Sequence, residues 1–215
     1  MMRSLIGAAD FIAELGYDEA RDLEDLLDTA EKKVYEVTSS PTLRKFIAIR
    51  DSLGEAWDRL DHLHKSKEEI RGVRTGFQEI DSMLAGLQKS DLIILAARPS
   101  MGKTALALDI ARKAATQYGT PVGIFSLEMS AQQLVDRMLS AESHVDAWKL
   151  RTGKLSTDKE FDQIRDALDK LSSAPIYIDD QPASNILKMR SVARRLKREQ
   201  GLGLLIVDYL QLMTP

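Results

Sequence analysis

Apolar positions recur at helical spacing through the first 70 or so residues, then give way to short continuous runs alternating with further helical stripes. Leu5, Ile12 and Leu15 form one stripe; Leu23, Leu26, Leu27, Ala30, Val34 and Val37 form a second; Ile49, Leu53, Trp57, Leu60 and Leu63 form a third. Between the second and third lies Thr38-Ser39-Ser40-Pro41, where proline removes a backbone donor and biases Ser40 away from the helical region, so a break is predicted. Periodicity by itself favours ordinary packing of these helices over a partner-binding role. From Thr75 the texture changes. Thr75-x-x-Gln78 has the pattern of a capping box opening a short helix through Ile80, Met83 and Leu84, with Gly86 placed to end it.

Four apolar runs then predict buried strands: Asp91 to Ala97, Val122 to Leu127, Ile176 to Ile178 and Leu204 to Val207. Helical patterns separate or follow them at Gly102 to Tyr118, Ser130 to Ser143, Thr157 to Leu171 and Ser184 to Gln200. Ser130-x-x-Gln133, Thr157-x-x-Glu160 and Ser184 supply capping chemistry for three of these. Such alternation implies right-handed crossovers and an α/β fold, with a mostly parallel sheet covered by helices on both faces.

Composition narrows the class without choosing a function. At 215 residues and 44% hydrophobic content the chain can bury a core. No apolar run approaches the ~18 residues of a membrane span, and the acid-bearing N-terminus lacks a secretory pattern, so a soluble cytoplasmic protein with no membrane partner is expected. The absence of cysteine excludes a disulfide scaffold, a thiol nucleophile and a cysteine-ligated zinc site. A formal charge of -3 requires any nucleic-acid contact to come from a local basic surface or from charges outside this chain. The helix from Ser184 carries Lys188, Arg190, Arg194, Arg195, Lys197 and Arg198, a pattern read by default as a solvated amphipathic helix and only secondarily as a nucleic-acid contact. His62 and His64 lack a further ligand cluster and receive no role.

The chemistry concentrates at Ala97-Arg98-Pro99-Ser100-Met101-Gly102-Lys103-Thr104, between a predicted strand and a predicted helix. Consecutive backbone N–H groups in such a loop converge on phosphate oxygens, while Lys103 adds a point charge and Thr104 a hydroxyl suited to Mg²⁺. Ala97 replaces the glycine of the strict motif, which alanine can do wherever φ stays negative. Asp208 ends the strand Leu204 to Val207, where carboxylates of open α/β sheets meet ligands and can hold Mg²⁺. Glu128 follows the second strand on the same predicted edge. It fits two roles: a base that orients and deprotonates attacking water, or an acid that suits the positive end of the following helix.

Taken together, ARPSMGKT, Phe125-Ser126-Leu127-Glu128-Met129, Leu150-Arg151-Thr152-Gly153, Ile176-Tyr177-Ile178-Asp179-Asp180 and VDYLQLM resemble the replicative DNA helicases of the DnaB family in sequence and order. The resemblance covers residues 70–215 and implies a RecA-like ATPase domain over 71–215, preceded over 1–70 by the end of an N-terminal domain and a linker helix. It further implies ATP and Mg²⁺ as cofactors, a homo-hexamer, translocation on single-stranded DNA with unwinding of forked DNA, and primase and a helicase loader as partners. By motif match, residues 97–104 bind nucleotide, Thr104 and Asp208 hold the metal, and Glu128 and Lys103 act in catalysis. Family members continue past the Asp208 strand into DNA-gripping loops and a basic finger that reaches a neighbour's nucleotide. The resemblance therefore leads to the expectation of an incomplete motor, truncated after that strand, with little activity of its own. A non-catalytic nucleotide-dependent interaction module is the alternative, and a recombinase- or clock-type ATPase a third reading that ARPSMGKT with VDYLQLM disfavours.

Overall fold

The computed structural model describes residues 2–17, 23–38, 49–50, 53–54, 57–58, 61, 70–155, 157–181 and 185–213. Two compact units, Met1–Lys67 and Glu68–Pro215, divide the chain. In the first, helix α1 (Met2–Leu15) packs on α2 (Leu23–Thr38), with Ala8 and Val37 buried and the Lys33 ammonium 5.2 Å from the centroid of the Phe11 ring. Helix α2 ends at Thr38, ahead of the Ser40-Pro41 step. Of the third predicted stripe, residues 49–50, 53–54, 57–58 and 61 are helical, while Leu60 and Leu63 lie outside the described residues.

The second unit holds a parallel three-stranded sheet in the order β2-β1-β3, built from β1 (Val122–Ser126), β2 (Ile176–Asp179) and β3 (Leu204–Asp208). Its helices are α3 (Gln78–Leu84), α4 (Lys103–Tyr118), α5 (Ala131–Ser143), α6 (Ala147–Thr152), α7 (Asp158–Ser172) and α8 (Ile186–Gln200), followed by a 3₁₀ turn at Leu210–Leu212. Every residue of β1 is buried, as the central strand of a covered sheet must be. Val122 and Ile124 of β1 join Leu108, Ala111, Ala114 and Ala115 of α4 and Leu134 and Met138 of α5 in one core. On the opposite face Gly123 admits α8: a Cβ there would lie 3.1–3.2 Å from Leu196, Leu202 and Leu205. Helices thus cover both faces, as the alternation of elements predicts. No helix among the described residues is long and apolar enough to cross a membrane.

Three local predictions are corrected. Residues 91–98 carry no regular structure and are exposed, Leu92 to 86%, although the run Asp91 to Ala97 reads as a buried strand. An apolar run becomes a strand only when a neighbour pairs its N–H and C=O groups, and the described sheet ends at β3 without reaching it. Thr75 does not cap α3. Phe77 is the N-cap, with no side-chain bond, and Thr75 instead uses its amide and hydroxyl to donate to Asp81 Oδ1, each at 2.8 Å. Ser184 lies outside the described residues; the cap of α8 is Asn185, whose side chain accepts from the Lys188 amide at 2.8 Å. The boxes at Ser130 and Thr157 do form their bonds, to Gln133 and Glu160 amides respectively.

Candidate functional site

Helix α4 opens on Gly102 at φ +87°, a conformation that favours glycine, and Gly102 offers no side chain to cap the helix. The first bond within the helix runs from the Leu106 amide to Gly102 O at 2.9 Å, leaving the amides of Lys103, Thr104 and Ala105 ahead of it. No acidic residue occupies the first turn. The preceding residues, Ala97, Arg98, Pro99, Ser100 and Met101, are all exposed; Ser100 stands at φ +64°, and the Met101 amide donates to Arg98 O at 3.2 Å. The result is an exposed loop that feeds a helix start rich in unpaired donors, the local arrangement that suits phosphate.

The sheet brings Asp208 to this helix start across 104 residues of sequence. Thr104 Oγ1 donates to Asp208 Oδ2 at 2.6 Å, and Lys103 Nζ sits 3.0 Å from Asp208 Oδ1. Asp208 is buried to 8% exposure, so its two oxygens depend on these partners. Register explains its position. β3 runs parallel to β1 with Ser126 opposite Asp208, and the Leu127 amide donates to Asp208 O at 2.8 Å, extending the ladder by one bond. Lys103 also lies over the Tyr209 ring, 4.2 Å from its centroid.

Glu128 stands two residues past the end of β1, on the same carboxyl edge as Asp208. Ser126 Oγ donates to Met129 O at 2.6 Å and accepts from the Met129 amide at 3.3 Å, closing a turn whose two middle residues are Leu127 and Glu128. Glu128 is exposed and has no side-chain partner among the described residues. The helix start it precedes is already served: Ser130 and Gln133 form a reciprocal capping box, and Asp180 Oδ2 accepts from the Ala131 amide at 2.7 Å. Those bonds weaken the case for Glu128 as a mere companion of α5's positive end.

Farther along α4, Arg112 is buried against Asp109 of its own helix and Glu142 of α5, and Glu142 also pairs with Lys170 of α7. Burial would raise the Glu142 carboxyl, but hydrogen bonds and charge from Lys170 and Arg112 outweigh it and hold the group below its ordinary 4.5. Burial likewise opposes the charge on Arg112, and Asp109 and Glu142 reverse that effect, so its value is raised. Sequence reading missed this network and assigned no role to Tyr209 or Asp180, although both stand within motifs that it did identify, VDYLQLM and Ile176 to Asp180.

Fold and motif order define a RecA-like α/β domain. The family described as DnaB-like helicase C terminal domain matches residues 72–215. The chain belongs to the DnaB-like helicase family. It is 47% identical over 213 residues to replicative DNA helicase DnaC of Bacillus subtilis (strain 168), covering 99% of this chain and 47% of the relative. Replicative DNA helicase DnaB of Geobacillus stearothermophilus is 48% identical over 213 residues, with 99% and 47% covered. Among solved structures, one described as a DnaB-like replicative helicase and its interactions with primase is similar at TM-score 0.77 and 25% identity, covering 100% of this chain and 48% of that one. A second solved structure, described as an ATPase domain, gives TM-score 0.71 at 27% identity, with 80% and 60% covered. The chain spans about half the length of the curated relatives it matches.

Proposed function

We propose that this chain carries the Mg-ATP-binding part of a replicative DNA helicase motor. The observation that carries the reading is the junction of Lys103, Thr104 and Asp208 at the start of α4, with Thr104 Oγ1 2.6 Å from Asp208 Oδ2 and Lys103 Nζ 3.0 Å from Asp208 Oδ1. Residues 97–102 and the first amides of α4 cradle the phosphates, and Lys103 supplies charge to them. Thr104 and Asp208 are hard oxygen donors of the kind that suits Mg²⁺, and they would hold it beside the phosphates. Mg²⁺ held there would neutralise charge on the phosphates. Glu128 orients water toward the terminal phosphate and accepts its proton.

In the complete protein this site serves a homo-hexamer that moves along single-stranded DNA, opens forked DNA, and works with primase and a helicase loader. Family membership supports those roles, and it disfavours the recombinase- and clock-type reading.

Calorimetric titration of Mg-ADP into the chain tests the site. Lys103→Ala removes a charge-assisted contact of about 1.5–3 kcal/mol, so affinity falls roughly 10- to 150-fold. Equal affinity in the two proteins would refute the assignment.

A further inference from the structure

Lys103 is held on the strand side of the site by two consecutive residues, Asp208 at 3.0 Å and the Tyr209 ring at 4.2 Å to its centroid. Asp208 spends its other oxygen on Thr104, so the acid, the hydroxyl and the ammonium that the proposed function assigns to Mg-ATP are all engaged with one another. The backbone of Tyr209 is tied into the 3₁₀ turn that follows, Tyr209 O accepting from the Leu212 amide at 3.2 Å, so the ring is carried by the Asp208 strand end and not by α4. A phosphate at the amides of Lys103, Thr104 and Ala105 draws the ammonium toward itself and away from the ring and the carboxylate.

We propose that Tyr209 is a positioning residue for Lys103: with Asp208 it forms a resting clamp on the ammonium, and nucleotide phosphate has to open that clamp. The proposal rests on the nucleotide reading of the same site. A cation over an aromatic face is favoured by the ring quadrupole, and most strongly where water is reduced. Lys103's side chain is 29% exposed and Asp208's 11%, which places the contact between the exposed and desolvated limits. The clamp competes with phosphate, so removing the ring strengthens nucleotide binding. Loss of structure would have the opposite sign.

Titration of Mg-ADP into the wild-type chain, Tyr209→Phe and Tyr209→Leu tests this. Leucine removes the ring and tightens binding about two- to five-fold, while phenylalanine keeps the ring and stays near wild type. Equal or weaker binding by Tyr209→Leu, with wild type binding normally, would overturn the clamp alone; no binding by wild type would overturn the nucleotide reading and the clamp with it. A second measurement needs no Tyr209 variant. In protein carrying ¹³C-labelled lysine, the ε-methylene of Lys103, identified by its loss in Lys103→Arg, resonates upfield under the ring current and returns to the ordinary lysine position on saturation with Mg-ADP. An unshifted signal in the free protein, or a shift that survives saturation, would also overturn the clamp.

Discussion

Glu128 illustrates how one side chain is assigned by what its neighbours already do. The N-terminus of α5 has its donors met by Ser130, Gln133 and Asp180, whereas Glu128 is exposed with no side-chain partner among the described residues. A carboxylate held at the edge of the sheet and free of structural bonds is available to water. Glu128→Gln keeps the shape and removes the proposed base; in the full-length protein with single-stranded DNA it should bind Mg-ATP within about two-fold of wild type and lower kcat by about 10²–10⁴. Unchanged steady-state turnover would return Glu128 to a helix-end role. The places of Lys103, Thr104, Asp208 and Glu128 were legible in the sequence from the Gly-Lys-Thr loop and from the apolar runs that Asp208 and Glu128 follow, while the roles expected of them came from the motif resemblance. Tyr209 was not legible in the same way: its contact with Lys103 spans over a hundred positions and leaves no spacing signature.

Among elements, α4, α5 and α7 are joined by charge as well as by apolar packing. Arg112 is one of the buried residues of α4, and Glu142 gathers both Arg112 and Lys170. Glu142→Ala leaves Arg112 with Asp109 alone and should cost about 3 kcal/mol in denaturant unfolding, the lower part of the range for breaking a buried pair. The sign of the pH dependence follows from the lowered Glu142 carboxyl. Its contribution is complete above the ordinary value of 4.5 and is lost as pH falls below it toward the folded value. Stability curves of wild type and Glu142→Ala should therefore converge on acidification below about pH 4.5 and stay parallel above it. A gap that persists at low pH would show that the residue acts through packing. Helices α4, α5, α7 and α8 and strands β1, β2 and β3 followed from the sequence, because apolar runs bounded by capping residues are local signals, whereas α6, six residues long, is too short to leave a periodic stripe that could be read. The run Asp91 to Ala97 failed for the complementary reason: its residues show strand propensity, but pairing is a property of a partner that propensity does not name.

At the scale of the molecule the site is a product of folding, and ligand binding should report on the whole unit. Lys103 and Thr104 belong to the start of α4 and Asp208 to the end of β3, so the unfolded chain has no reason to hold them within 2.6–3.0 Å. A ligand that binds only the folded arrangement stabilises it by about 2.7 kcal/mol at a hundred times its Kd. For a unit of this size, Glu68–Pro215, that corresponds to a rise in Tm of roughly 5–10 °C in Mg-ADP. Lys103→Ala at the same ligand concentration should lose about half of that rise or more, since its weaker affinity leaves fewer multiples of Kd in solution. Calorimetric scans of both proteins with and without Mg-ADP measure the effect. The comparison also separates the nucleotide site from nonspecific stabilisation, because a general effect of Mg²⁺ or ADP on the exposed surface would raise the two proteins equally, while binding that joins α4 to β3 through Lys103 cannot.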